Sequence, residues 1–134
     1  MTPDAFLADC RARLAFDLLA NTWNPVLLHA LRDGPHRPSD LRRRIGGISS
    51  KVLTETLRRL HSNGLVTRHE PPDTPTRIEY ALTDLGRTLL GPIETIGAWA
   101  FEHGDEVLAA REAACVRAGD QRRDNDDEDG RLGA

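Results

Sequence analysis

The apolar positions divide this chain into short amphipathic segments punctuated by glycine, proline and serine. Phe6, Leu7, Leu14, Phe16, Leu18 and Leu19 recur at roughly helical spacing, which predicts a helix over Pro3–Ala20, whole or in two pieces because the pattern loosens around Cys10–Arg13. Asn24 is a candidate cap with Pro25 at the first helical position. Val26, Leu27, Leu28, Ala30 and Leu31 carry this second helix, with Trp23 at its entrance, to a stop at Gly34-Pro35. Ser39 is placed to cap a short third helix through Leu41 and Ile45. Gly46-Gly47 ends it, and Ser49 or Ser50 opens a fourth helix that runs to about Ser62. Two helices thus meet across a tight glycine turn.

The fourth helix is sharply two-sided. At about 100° per residue, Leu53, Leu57 and Leu60 fall on one face with Val52 and Thr56 on its flank. Lys51, Thr54, Glu55, Arg58 and Ser62 take the opposite side, with Ser50 and Arg59 at its edges. After Asn63-Gly64 the period changes to two. Leu65–Glu70 reads as a short strand, and Arg77–Leu82 as a clearer one in which Ile78, Tyr80 and Leu82 share a face. Between them Pro71-Pro72-Asp73-Thr74-Pro75-Thr76 has too many prolines to pair and predicts a stiff exposed loop. Thr83 is a candidate cap for a fifth helix, whose Leu89, Ile93, Ile96 and Ala100 form a stripe beside Trp99. Pro92 predicts a kink or break near Gly91, and Asp105–Ala118 predicts one more helix. From Gly119 onward the chain is almost free of apolar residues, which predicts a disordered acidic tail.

Composition and charge sharpen this outline. With 39% hydrophobic and 29% charged residues in 134, the chain has the balance of one soluble domain. No apolar run nears the ~20 residues of a membrane span, and Asp4, Asp9 and Arg11 interrupt any signal-peptide core, so a cytoplasmic location is expected. Cys10 and Cys115 stand far apart without metal-ligand spacing, which predicts free thiols and neither a disulfide framework nor a metal site. The net charge of −3 hides a polarity along the chain: residues 32–87 hold eleven basic and seven acidic side chains, while every flanking segment is net acidic. Phosphate binding depends on where charge sits, so a basic centre remains compatible with DNA.

The order helix, helix, helix, glycine turn, helix, strand, Pro-rich loop, strand, helix is that of a winged helix-turn-helix, in which the second helix of the motif enters the major groove. The expected fold is mainly α with a small two- or three-stranded β-wing and flanking dimerisation helices. Its parts are an N-terminal arm over 1–22, a DNA-binding domain over 23–86, C-terminal dimerisation helices over 87–118 and the tail over 119–134. Candidate DNA contacts are Arg42 and Arg43 on the third helix, Ser49, Ser50, Lys51, Thr54 and Arg58 on the fourth, and Arg68 and Arg77 at the base of the wing. Either wing arginine could instead pair with Glu70 or Glu79, and the charges of the fourth helix could be an ordinary solvated face.

The residues that fill this outline resemble the HxlR-type family of winged-helix regulators. The resemblance lies in Trp23 before a Leu-rich helix, Asp33-Gly34-Pro35, Asp40-Leu41-Arg42-Arg43 and Gly47-Ile48-Ser49 with Leu53, Leu57 and Leu60. It continues through Asn63-Gly64-Leu65-Val66-Thr67-Arg68, Pro75, Arg77-Ile78-Glu79-Tyr80-Ala81-Leu82-Thr83 and Gly86. It covers about residues 10–100 and is most specific in the Ile-Glu-Tyr-x-Leu-Thr segment. Two departures stand out: Pro38 replaces a common aromatic, and Asn21-Thr22 precedes the tryptophan in place of Gly-Lys. The resemblance implies a homodimer that binds an inverted repeat of double-stranded DNA and represses transcription. By that analogy Phe6, Leu7, Leu89, Ile93, Ile96, Trp99 and Ala100 form the dimer surface, with packing inside the monomer as the alternative. Several members sense electrophiles or oxidants through a cysteine thirteen residues before the tryptophan, the spacing of Cys10 to Trp23. Arg11 and Arg13 could favour its reactive thiolate, and a small buried side chain is the alternative.

An enzyme is not expected. His29, His36, His61, His69 and His103 are scattered, and none falls in a metal-binding, nucleophile-elbow or phosphate-loop motif, so no cofactor is implied. The remaining rival is a winged helix that docks proteins without touching DNA.

Overall fold

The computed structural model describes residues 10–132, which form six helices and two strands and divide into two compact units between Ile93 and Glu94. In chain order these are α1 (Cys10–Ala20), α2 (Trp23–Ala30), α3 (Pro38–Ile45), α4 (Ser50–Ser62), β1 (Val66–His69), β2 (Glu79–Leu82), α5 (Asp84–Arg87) and α6 (Leu90–Leu132). Phe6, Leu7 and the predicted start of the first helix lie outside the described residues.

The core of the first unit gathers one face from each of α2, α3, α4 and the hairpin. Leu27, Leu28 and Leu31 meet Leu41, then Leu53, Leu57 and Leu60, with Val66, Tyr80 and Leu82 closing the far side. The helical wheel of α4 is realised, and Thr56 proves as buried as the leucines. Its hydroxyl donates to the Val52 carbonyl at 2.7 Å, so the buried polar atom is satisfied within the helix. Between α3 and α4 the chain turns through Gly46 and Gly47, whose φ angles of 67° and 70° favour glycine.

The hairpin is antiparallel, pairing Val66 with Leu82, Thr67 with Ala81, Arg68 with Tyr80 and His69 with Glu79. A single bridge adds His36 beside Tyr80, with His36 N–H donating to Tyr80 O at 3.0 Å and Tyr80 N–H to His36 O at 2.9 Å. This is the whole of the third strand that the outline allowed. Alternation holds on β2, where Tyr80 and Leu82 are buried, but on β1 only Val66 is buried and the rest projects into solvent.

Several boundaries differ from the sequence reading. Helix α2 begins at Trp23, whose N–H donates to Asn21 Oδ1 at 3.0 Å. Asn24 is therefore no cap: it is buried inside the helix, and its Nδ2 donates to Leu18 O at 2.9 Å, tying the end of α1 to α2. Helix α3 starts with Pro38 itself at the first position, where the missing N–H costs nothing, and Ser39 caps nothing. Ser49 is the cap of α4, its hydroxyl accepting from Val52 N–H at 3.2 Å. The predicted fifth helix stops after one turn at Arg87. A new helix then starts at Leu90, so Pro92 lies in a first turn whose N–H groups have no helical partners. That helix neither pauses at Gly104 nor ends at Gly119. It runs to Leu132, where composition alone predicted disorder. The acidic segment places Asp127 four residues before Arg131, and Arg122 and Arg123 four before Asp126 and Asp127, pairings that support an exposed helix.

Candidate nucleic-acid interface

The N-terminal half of α4 is built to project. Its leucine face is sunk in the core, while Ser49, Ser50, Lys51, Thr54, Glu55 and Arg58 are all exposed. The Thr54 hydroxyl donates to Ser50 O at 2.9 Å. The Lys51 and Arg58 side chains have no ion pair or hydrogen bond among the described residues. Both can turn outward without breaking an ion pair or hydrogen bond among the described residues.

On α3 the cations are differently employed. Arg44 donates to both carboxylate oxygens of Asp33 at 2.9 Å and to Ala30 O at 3.2 Å, strapping the end of α3 to the end of α2. Hydrogen bonds from Arg44 and then from His36 Nε2, 3.0 Å away, hold the Asp33 carboxyl well below the usual aspartate range. Arg43 hydrogen-bonds Asp40, which also faces Arg37 at 3.7 Å, and these contacts lower the Asp40 carboxyl in turn. Arg42 is exposed with no side-chain partner among the described residues. Of the two α3 candidates, then, one is free and one is engaged.

The wing divides in the same way. Arg68 lies 3.6 Å from Glu70, the pairing that the sequence left open, while the Arg77 side chain has no partner among the described residues. A groove of ≈ 380 Å³ opens between α4 and the hairpin. Thr54, Arg58 and His61 line it from successive turns of α4, Arg68 from β1, Ile78 and Tyr80 from the second strand segment, and Pro38 from the start of α3. Thr54, Arg58 and Arg68 are thus brought together, whereas Arg42, Arg77 and the serines stand apart from the groove. His61 was missed as a site residue. Its position seven after Thr54 and three after Arg58 was the available signal.

Away from this face, Cys10 opens α1 as an exposed thiol, as Cys115 is on α6. The expected apolar stripe separates into two parts. Leu89 and Ile93 are half-buried against the core, whereas Ile96, Trp99 and Ala100 are exposed, Ile96 to 53% and Trp99 to 55%. The described residues contain no cluster of potential metal ligands and no helix long and apolar enough to cross a membrane.

A helix-turn-helix whose second helix buries one face and presents the other, followed by a two-stranded hairpin, defines a winged-helix DNA-binding protein. A family model described as HxlR-like helix-turn-helix matches residues 18–107, and the chain belongs to that family. It is 37% identical over 107 residues to the HTH-type transcriptional regulator YtfH of Escherichia coli, covering 80% of this chain and 85% of the relative. YodB of Bacillus subtilis, also an HTH-type transcriptional regulator, is 40% identical over 96 residues, covering 69% and 86%. The reduced form of YodB superposes with a TM-score of 0.63, at 37% identity over 69% of this chain and 90% of that one. Quinone-bound and diamide-treated forms of the same regulator are also matched. The redox regulator HypR in its reduced form gives a TM-score of 0.68 at 28% identity, covering 74% and 98%. The chain is a DNA-binding transcriptional regulator and not an enzyme.

Proposed function

We propose that the protein is a cytoplasmic homodimeric repressor that binds an inverted-repeat operator through α4, with Ser49, Ser50, Lys51, Thr54 and Arg58 as its principal contacts. The observation that carries this reading is the division of α4 into a buried leucine face and an exposed face whose two cations are unengaged. Arg42, Arg43, Arg68 and Arg77 supply backbone contacts. Arg43 and Arg68 exchange a carboxylate for a phosphate, while Arg42 and Arg77 have no partner among the described residues to give up. The dimer forms through Ile96, Trp99 and Ala100 of α6, and the family resemblance adds Phe6, Leu7, Leu89 and Ile93 as further candidates. Exposed Trp and Ile on a helix are costly to leave in water, which supports a covered face.

Cys10 is the oxidant- or electrophile-responsive residue. It is exposed, and relatives have been solved in quinone-bound, diamide-treated and oxidised forms. Selection from a random duplex pool tests the whole reading. Enrichment of an inverted repeat with half-sites about one helical turn apart is expected. An unstructured or absent consensus would contradict it. Diamide or a quinone is expected to abolish binding of the wild type to that duplex and to leave binding by Cys10→Ser unchanged. Equal sensitivity of the two proteins would remove Cys10 from the account.

A further inference from the structure

The groove between α4 and the hairpin combines a cationic rim with an apolar floor. Arg58 and His61 lie one turn apart on α4, and Arg68 faces them from β1, paired across the sheet with Tyr80. Ile78, Tyr80 and Pro38 supply the floor. The charged and titratable groups around His61 are Arg58 on its own helix and Arg68 on β1, with Tyr80 from β2 and only Pro38 from α3. No carboxylate lines the groove, and Glu70 lies 3.6 Å from Arg68 at its rim. Such a surface matches the sugar-phosphate backbone of DNA, which offers one phosphate charge beside an apolar ribose face.

Resting on the DNA-binding reading above, we propose that this groove seats one backbone phosphate of the operator, held by Arg58 and Arg68 with His61 as a third ligand that engages only when protonated. The phosphate draws Arg68 from Glu70, and the deoxyribose lies on Pro38 and Ile78. His61 is exposed. Because a charged imidazole forms an ion pair with the phosphate where a neutral one can at most donate a hydrogen bond, binding takes up a proton, and affinity rises as pH falls through the interval in which histidines gain charge.

The test uses the duplex enriched from random DNA by the wild-type chain and measures its affinity by fluorescence anisotropy at several salt concentrations, at pH 6 and pH 8. Wild type is expected to bind several-fold more tightly at pH 6, with a salt slope steeper by about 0.9 than at pH 8. His61→Gln should match wild type at pH 8 and lack the gain at pH 6. His69→Gln, altered on the exposed part of β1, should keep it. Inorganic phosphate added at constant ionic strength should leave the affinity unchanged, and displacement of the duplex by it would make a free anion the occupant and overturn the proposal. A His61→Gln protein that follows wild type at both pH values also overturns it while leaving the DNA-binding reading intact. Failure to enrich any duplex would overturn both.

Discussion

Gly86 sits where two backbone segments pass too closely for any side chain. A Cβ built on it lies 2.1 Å from Leu65 O, 3.1 Å from Leu65 C and 3.3 Å from Leu82 Cδ2. Real Cβ atoms essentially never come within 3.0 Å of such neighbours, so Gly86→Ala must open this crossing by about 0.9 Å. The crossing is pinned on both sides. Thr83 N–H donates to Leu65 O at 3.1 Å, the Thr83 hydroxyl donates to Gly64 O at 2.7 Å, and the same hydroxyl accepts from Gly86 N–H at 3.0 Å. Forcing a methyl into a packed site costs ~1–3 kcal/mol, and weakening one of these hydrogen bonds adds ~1 kcal/mol. Alanine's advantage over glycine in a helix returns at most ~1 kcal/mol. The balance is a loss of about 1–3 kcal/mol, which for a domain of this size lowers the thermal midpoint by roughly 5–20 °C. Gly91→Ala is the matched control, since nothing lies within 4 Å of its Cβ position and its change should stay under ~1 kcal/mol. Melting curves by circular dichroism, with urea midpoints as a check, read both. A Gly86→Ala protein that melts within about 3 °C of wild type would refute the reasoning, because it would mean the two segments separate freely.

Other consequences follow from the same contacts. Leu57→Ala removes a side chain that is 1% exposed at the centre of the α4 face and should cost about 3 kcal/mol in urea unfolding, whereas Glu55→Ala on the exposed face should cost little. The folded chain binds a proton at Asp33 more weakly than the unfolded chain does. The strap to Arg44 therefore stabilises above the pH where an unfolded aspartate ionises, about 4, and is lost as pH falls through the lower folded value. Asp33→Asn should accordingly melt below wild type at pH 6, with the gap closing under pH 4, and a gap independent of pH would contradict the assignment. Replacing Ile96 and Trp99 together by glutamate should convert the proposed dimer to a monomer in sedimentation without lowering the melting point of the DNA-binding unit, and an unchanged sedimentation coefficient would contradict the proposed dimer surface.

How far the sequence could be read depended on whether a signal was local. The faces of α4 were legible because Leu53, Leu57 and Leu60 repeat at helical spacing, and the hairpin because Ile78, Tyr80 and Leu82 alternate. Boundaries set by side-chain caps were not. The sequence points to Asn24 as the cap, and only the packing of α1 against α2 shows that Asn21 takes the Trp23 N–H while Asn24 is drawn into the interior. The tail misled for a related reason: low hydropathy speaks against a core but not against an exposed helix with favourable charge spacing. At the site, the cations of α4 were identifiable from position alone. That Arg44 is consumed by Asp33 and Arg68 leans on Glu70 required the fold, as did the groove that gathers His61 with Arg58 and Arg68 across the hairpin.

The central claim is that the exposed face of α4 reads DNA, and charge reversal at its two free cations tests it most directly. Fluorescence anisotropy against the enriched duplex and a scrambled control should show sequence-dependent binding by wild type with a steep salt dependence. Lys51→Glu/Arg58→Glu should lose that binding while keeping a melting temperature close to wild type, since both side chains are exposed and neither makes an ion pair or side-chain hydrogen bond among the described residues. A doubly reversed protein that still distinguished the enriched duplex from the scrambled one would contradict the account.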